Sequence, residues 1–253
     1  MHNRIGIIMA RGKEKRLHPL TKVVNKHLLP VYDKPMIHYP LSTLIRLGHK
    51  KIYFISTRES IPLFKKLFGS GKKFKVKIIY KIQKKSDGIA ACFEILKKEI
   101  KSKKTTLILG DNLFFTDIKK IKKKIRKIGS TVLLAKVKRP KQYGVAEIKK
   151  NKVVKLIEKP KKPKSDLVAT GLYFFDENAL NFFKKIKPSK RGEYEITDLN
   201  NQYIQRNKCF FIRIYGNDKW FDLGEVQNLQ ECSLFLKKKK KKKLNKYFQL
   251  SKY

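Results

Sequence analysis

An alternation of short apolar runs with stretches of helical spacing along the first 110 residues confines this chain to a narrow set of folds. Residues 5–10 form a continuous apolar run that enters a glycine-bearing loop, the pattern of a buried parallel strand feeding a phosphate loop. Residues 35–47 carry apolar side chains at helical spacing and stop at Gly48. Segments 51–57 and 75–80 read as strands with a helix, 61–68, between them. Segment 89–100 reads as another helix, and 105–109 as a strand that ends at Gly110-Asp111-Asn112. This β-α-β-α rhythm predicts a mainly parallel sheet covered on both faces. Carboxylates at the carboxyl ends of such strands lie where open α/β sheets bind ligands.

From Thr131 onward the texture turns β-rich, with expected strands at 131–137, 144–148, 153–158 and 167–175 separated by proline and lysine turns. No flexible linker sets these apart, so they are expected to form an insertion on the same sheet. A helix at 176–185, a helix beginning near Glu195, a strand at 210–215 and an amphipathic helix after Glu225 complete the reading. The result is one domain, 1–236, followed by a lysine-rich tail, 237–253. Like-charge repulsion along Lys237 to Lys243 is expected to leave that run solvated or frayed.

At 253 residues and 41% hydrophobic, the chain has enough apolar material for a substantial core. No run approaches the roughly 18 to 20 apolar residues that span a bilayer, and the opening segment is too short in apolar residues for a signal peptide. A cytoplasmic protein without membrane association is expected. Cys92, Cys209 and Cys232 are scattered and have no histidine at ligand spacing, so they are expected as buried thiols. The net charge of +43 comes from 63 Lys and Arg against 20 Asp and Glu. These cations are mostly lysine and spread over nearly every polar stretch, without a stripe or interleaved stacking aromatics. That pattern predicts weak, salt-sensitive polyanion affinity and no specific nucleic-acid partner.

Three features carry chemistry: a glycine loop with Arg16 after the first strand, Asp111 at the end of a later strand, and Asp222 in Trp220-Phe221-Asp222. A phosphate loop supplies N–H donors and a cation, while two separated carboxylates can hold a magnesium ion that bridges phosphate oxygens. Together they point to phosphoryl or nucleotidyl transfer. Alone, an aspartate after a strand is more often a turn residue or helix cap.

The motifs Lys26-His27-Leu28-Leu29-Pro30-Val31-Tyr32-Asp33-Lys34-Pro35-Met36, Leu109-Gly110-Asp111-Asn112, Tyr143-Gly144-Val145, Glu158-Lys159-Pro160, Thr170-Gly171-Leu172-Tyr173, Arg191-Gly192-Glu193-Tyr194-Glu195-Ile196-Thr197-Asp198 and Trp220-Phe221-Asp222 follow one another in a familiar order. Over about residues 4–236 the chain resembles bacterial glucose-1-phosphate thymidylyltransferases, of the nucleotide-sugar pyrophosphorylase group. The resemblance implies a Rossmann-like mixed, mainly parallel sheet with an inserted sugar-binding region. It also implies transfer of a thymidylyl group from dTTP to glucose-1-phosphate with Mg²⁺, and a homo-oligomeric assembly. By the same resemblance Arg16, Lys26 and Lys159 act on the phosphates, and Asp111 and Asp222 hold the metal. Ala10, Gly12, His27, Gln83, Gly88 and Asp111 bind the nucleotide, with Gln83 and Gly88 at the pyrimidine. Asn112, Tyr143, Gly144, Glu158, Gly171 and Tyr173 bind the sugar phosphate. Two alternatives stand beside this reading: a uridylyltransferase acting on a related sugar-1-phosphate, and a nonenzymatic relative with impaired triphosphate binding.

The alternatives arise from departures in the pattern. Where such enzymes read Leu-Ala-Gly-Gly-x-Gly-Thr-Arg-Leu, this chain has Met9-Ala10-Arg11-Gly12-Lys13-Glu14-Lys15-Arg16-Leu17. Glycines let the backbone approach phosphates closely, so their loss is expected to lower turnover. His27 replaces the usual glutamine, and Leu223 and Glu225 replace threonines. The sequence also stops short of the helical extension on which such enzymes build further contacts.

Overall fold

The computed structural model describes residues 4–11 and 15–241. Strand β1 (Arg4–Met9) is buried at all six positions, as a strand covered on both faces must be. Short 3-10 turns lead to a small ribbon, β2 (Pro30–Val31) with β3 (Lys34–Pro35), and then to helix α1 (His38–Leu47). Gly48 closes α1 with φ 93°, a left-handed cap that glycine adopts without strain. There follow β4 (Lys51–Ser56), α2 (Ile61–Phe68), β5 (Lys77–Ile82), α3 (Cys92–Ile95), β6 (Lys104–Leu109), β7 (Asn112–Phe115) and α4 (Ile118–Lys124). The second half comprises β8 (Ser130–Lys136), β9 (Gly144–Lys149), β10 (Lys152–Glu158), β11 (Leu167–Phe175), α5 (Ala179–Phe183), α6 (Ile196–Ile204), β12 (Cys209–Arg213), β13 (Lys219–Asp222) and α7 (Val226–Lys241).

β1 pairs in parallel with β4 and β6, and β4 with β5. β11 then joins β6 antiparallel and carries both β8 and β9. The β-rich insertion thus extends the first sheet, giving a nine-stranded order β10-β9-β11-β6-β1-β4-β5 with β8 and β12 branching from β11. The fold is the mixed, mainly parallel α/β sheet predicted above. Alternation along β1 splits the core: Ile5, Ile7 and Met9 face Tyr53, Phe93 and Phe175, while Ile8 faces Leu41, Phe54, Phe64 and Phe68. Each fully buried large apolar side chain contributes about 1.5–3 kcal/mol. A third cluster, including Val31, Leu113, Phe115, Leu223, Cys232 and Leu236, packs α7 over the β7–β13 ribbon.

Several boundaries differ from the sequence reading for local reasons. α1 starts after Pro35 because the N–H groups of Met36 and Ile37 bond to the carbonyls of Leu29 and His27, strapping this stretch to the preceding segment. Lys75 is left-handed (φ 58°), which delays β5 to Lys77. Segment 89–100 contains only the short α3 amid turns. Asp176 accepts from the N–H of Asn178 in an Asx turn, so α5 begins only at Ala179. β7, β13 and α4 were not read from the sequence. α7 runs unbroken into the lysine run as far as Lys241, where cations suit a helix C-terminus. Lys237 to Lys239 are exposed, and 242–253 lie outside the described residues. All three cysteines are buried and free, and no helix among the described residues is long and apolar enough to cross a membrane.

Candidate active site

The carboxyl ends of β1, β5 and β6 open into a cleft of about 610 Å³ lined by Arg11, Arg16, Lys26, His27, Gln83, Gly88, Asp111, Lys159 and Arg191, among others. Its centre is Asp111, one residue past the glycine that ends β6. Lys26 donates to Asp111 Oδ2 at 2.6 Å and Asn112 Nδ2 donates to Oδ1 at 2.8 Å. Asn112 is itself fixed: its Oδ1 accepts from the N–H of Gly171 (2.9 Å) and from the Trp220 indole (2.7 Å). The antiparallel β7–β13 ribbon sets Asp222 opposite Asn112, and the N–H of Leu223 donates to the Asp111 carbonyl at 2.9 Å. Two aspartates distant in sequence are therefore held on adjacent rungs.

Their environments push them apart. Burial works to raise the Asp111 carboxyl, but the Lys26 ammonium and the hydrogen bonds prevail and hold it well below the usual carboxylate range. Burial and the neighbouring Asp111 charge push Asp222 up to about 6, against the pull of Lys26 and Arg16. Burial disfavours the charge on Lys26, yet Asp111 keeps its pKa above the ordinary value. A pair of half-buried carboxylates with incomplete compensation suits a hard divalent cation such as Mg²⁺. No group of three or more His, Cys, Asp or Glu could hold a metal among the described residues, so other oxygen ligands would have to come from substrate or water. Because Asp222 takes a proton below about 6, divalent-ion affinity should weaken as pH falls through that value. Calorimetric titration with Mn²⁺ between pH 5 and 8 checks this; pH-independent affinity contradicts it.

At the β5 end, Gln83 is buried, and its Nε2 donates to Asp87 Oδ1 (2.6 Å) and to the Gly88 carbonyl (3.1 Å). Gly88 has φ 97°, and a Cβ there would lie 2.5 Å from the Tyr194 carbonyl oxygen, so only glycine fits. His27 is buried, with Nδ1 2.9 Å from Asn25 Oδ1. That oxygen also accepts from the His27 N–H, while Asn25 Nδ2 donates to Ser60, so Nδ1 carries the imidazole proton and Nε2 is left as an acceptor. Burial, then the Lys26 charge, lower the His27 pKa to about 3.

Ala10, expected among the nucleotide-binding residues, has its own backbone polar groups engaged within the sheet. Its N–H is engaged by the Ile55 carbonyl and its own carbonyl by Ser56, so it forms part of the sheet beneath the cleft. Gly12 lies outside the described residues. Arg16 sits on the Asp222 side, with Nη1 3.3 Å from Gln142 Oε1 and 3.5 Å from Glu225.

The predicted sugar-side residues gather around β9, β10 and β11. Asp222 is within hydrogen-bonding reach of the Tyr143 hydroxyl. Glu158 is raised by burial and by Glu195, with Lys159 at 3.7 Å and Arg191 at 3.5 Å opposing. Lys159 has φ 41°, an uncommon conformation for a side-chain-bearing residue, held by its N–H bond to the Tyr143 carbonyl. Gly144 packs against Glu158 and Thr197, and Tyr173 is buried. A Cβ on Gly171 would fall 2.5 Å from Asn112 Cγ. Gly171→Ala should therefore cost about 2 kcal/mol or more by displacing Asn112, and a thermal melt unchanged from the native chain contradicts that. Sequence reasoning left Trp220, Arg191, Gln142 and Arg11 without individual roles here. The first two lie inside the motifs quoted above, which was the available signal.

Cations clustered beside adjacent carboxylates at the carboxyl ends of an α/β sheet are the arrangement that a nucleotide-handling transferase requires. Residues 5–239 match the family described as Nucleotidyl transferase, to which the chain belongs. It is 43% identical over 237 residues to glucose-1-phosphate thymidylyltransferase of Neisseria meningitidis serogroup A, a match covering 91% of this chain and 82% of that protein. The protein of the same name from Mycolicibacterium smegmatis is 39% identical over 238 residues, covering 92% and 82%. Within the family, the chain is thus a member of the glucose-1-phosphate thymidylyltransferases. A solved Bacillus anthracis structure described under that name, in complex with a sucrose, matches with TM-score 0.84 and 38% identity over 91% of this chain and 94% of that one. A UDP-glucose pyrophosphorylase complexed with UDP-glucose shares the fold at 22% identity, with TM-score 0.79 over 94% of this chain and all of that one.

Proposed function

We propose that this chain transfers the thymidylyl group of dTTP to glucose-1-phosphate, giving dTDP-glucose and pyrophosphate, and acts on soluble substrates in the cytoplasm. The observation that supports this most is the Lys26–Asp111 pair, with Asp222 on the next rung, in a cleft lined on one side by Gln83 and Gly88 and on the other by Lys159 and Arg191. An oxygen of the sugar phosphate attacks the α-phosphorus in line, the bond from that phosphorus to the bridging oxygen breaks, and pyrophosphate departs with the electron pair. The attacking group is already an anion, so no protein nucleophile is required, and catalysis consists of positioning and charge stabilisation.

Lys26, oriented by Asp111, offers an ammonium to the charge that develops at the α-phosphoryl oxygens. Arg16 faces the departing pyrophosphate. Lys159, placed by its unusual backbone, meets the sugar phosphate, and Glu158 accepts from sugar hydroxyls. Asp111 and Asp222 would hold Mg²⁺, which when bound supplies charge neutralisation on phosphate oxygens.

The test is steady-state pyrophosphate release with dTTP, UTP, dCTP and ATP against glucose-1-phosphate and related sugar phosphates. The reading requires dTTP with glucose-1-phosphate to give the highest kcat/KM. A preference for UTP or another sugar phosphate replaces it with the uridylyltransferase reading. Absence of turnover by folded protein with every pair leaves the nonenzymatic one.

A further inference from the structure

Glu225, which stands where the resembling enzymes carry a threonine, meets the arginine assigned above to the leaving pyrophosphate. The Arg16 backbone belongs to a 3-10 turn, Lys15–Leu17, anchored by the buried Leu17 side chain. From that turn the guanidinium reaches two other segments. Its Nη1 donates to Gln142 Oε1 at 3.3 Å, just ahead of β9, and lies 3.5 Å from Glu225 Oε1, just ahead of α7. A third contact is with backbone: a Cβ on Gly224 would lie 2.8 Å from Arg16 Nη2 and 3.3 Å from Cζ. Gly224 is not among the glycines with positive φ. A side chain there would therefore meet no backbone strain but would displace the guanidinium.

Arginine carries five N–H donors in a planar fork. Nη1 is directed at Gln142 and Glu225 and Nη2 rests on Gly224, while the side chain as a whole borders the cleft. The Arg16 and Glu225 side chains are 54% and 30% exposed. An ion pair so exposed contributes little to stability, so its consequence lies in where it holds the cation. A long side chain must be ordered when an anion binds, and contacts that already fix it reduce that entropic cost. In the resembling enzymes glycine and threonine precede this arginine, whereas here Lys13-Glu14-Lys15 do. The groups that fix the guanidinium come instead from outside the loop, from Gln142 and the Gly224-Glu225 turn.

We propose that Glu225 is a positioning residue of this chain, which with Gln142 and Gly224 seats Arg16 toward the phosphates that leave as pyrophosphate. The proposal rests on the proposed function and deepens its account of Arg16.

The experiment is calorimetric titration of inorganic pyrophosphate with Mg²⁺ into the full native chain, Glu225→Ala, Glu225→Gln, Arg16→Ala and the double variant Arg16→Ala/Glu225→Ala. Steady-state kinetics with dTTP and thermal melts accompany it. Glu225→Ala should weaken pyrophosphate binding about fivefold, the upper range for an exposed pair, and lower kcat/KM for dTTP by about the same factor. Its melting temperature should stay within about 2 °C of the native value. Glu225→Gln keeps an acceptor for Nη1 and should recover most of the loss. In the Arg16→Ala background, Glu225→Ala should change binding by less than about twofold, because the two residues act through one contact. Unchanged binding by Glu225→Ala overturns the proposal, as does an equal loss with and without Arg16. Tighter binding by both Glu225 variants also overturns it and makes Glu225 a like charge that repels the phosphates. Where Arg16→Ala binds too weakly to measure, an equal loss in Glu225→Gln and Glu225→Ala overturns it. Absence of pyrophosphate binding by the native chain overturns this inference; binding without turnover overturns only the proposed function.

Discussion

Asp222→Asn should give a protein that melts about 2–4 °C higher at pH 7 and turns over about a hundredfold to a thousandfold more slowly. Both effects come from one geometry. Asp222 lies on the rung beside Asp111, and burial together with that neighbouring charge lifts it to about 6 from an ordinary 3.8. A carboxyl raised in this way binds more protons folded than unfolded between those two values, so it costs stability as pH rises through them. Asparagine keeps the shape and the Gly224 N–H contact at Oδ1 while removing the like-charge cost. The gain in melting temperature should vanish below about pH 4, where the aspartate is protonated in the folded and the unfolded chain alike. Loss of the second carboxylate removes half of the proposed protein ligand set for Mg²⁺, so activity falls although the fold improves. Differential scanning calorimetry from pH 4 to 8, paired with kcat, decides the point. A variant that is both less stable and fully active contradicts the assignment.

Lys26→Ala acts in the opposite direction on stability and in the same direction on activity. Lys26 is buried and donates to Asp111 at 2.6 Å, and it is the main cation offsetting that carboxylate. Removing one partner of a buried pair leaves the other uncompensated, at a cost of about 3–5 kcal/mol. For a chain of this size that lowers the melting temperature by roughly 10 °C. Turnover should fall about a hundredfold to a thousandfold because the α-phosphoryl oxygens lose their fixed ammonium. Millimolar Mg²⁺ should recover part of the melting temperature, since binding to the exposed carboxylate pair stabilises the folded state by mass action, without restoring kcat. An unchanged melt and unchanged turnover would show that the pair is decorative.

Much of the scaffold was legible because its signals are local. α2 at Ile61–Phe68 and β11 at Leu167–Phe175 fall where periodicity and β-branched, aromatic content put them. β1 is one residue off at each end. What escaped was non-local. Leu113-Phe114-Phe115, following Gly110-Asp111-Asn112, becomes a strand only because Lys219–Asp222 pairs with it, and no periodicity announces that partner. The candidate site divides in the same way. Asp111, Lys26 and Asp222 were legible as motif members, but their common location depends on the unread ribbon. Ala10 was expected to bind the nucleotide, and only the neighbouring β4 reveals that its backbone N–H is already engaged. Arg11 was legible only as a missing glycine. Its contact with Gln83 depends on β5 lying two strands away from β1.

The central claim is that the Lys26–Asp111–Asp222 cleft joins a nucleotide to a sugar phosphate. The most direct measurement is chromatographic quantification of nucleotide sugar and pyrophosphate when the native chain, dTTP, glucose-1-phosphate and Mg²⁺ are incubated together. dTDP-glucose and pyrophosphate should form in equal amounts, and neither should form without the sugar phosphate. Pyrophosphate or phosphate released without a matching nucleotide sugar, or no product from folded protein that binds dTTP, would contradict it.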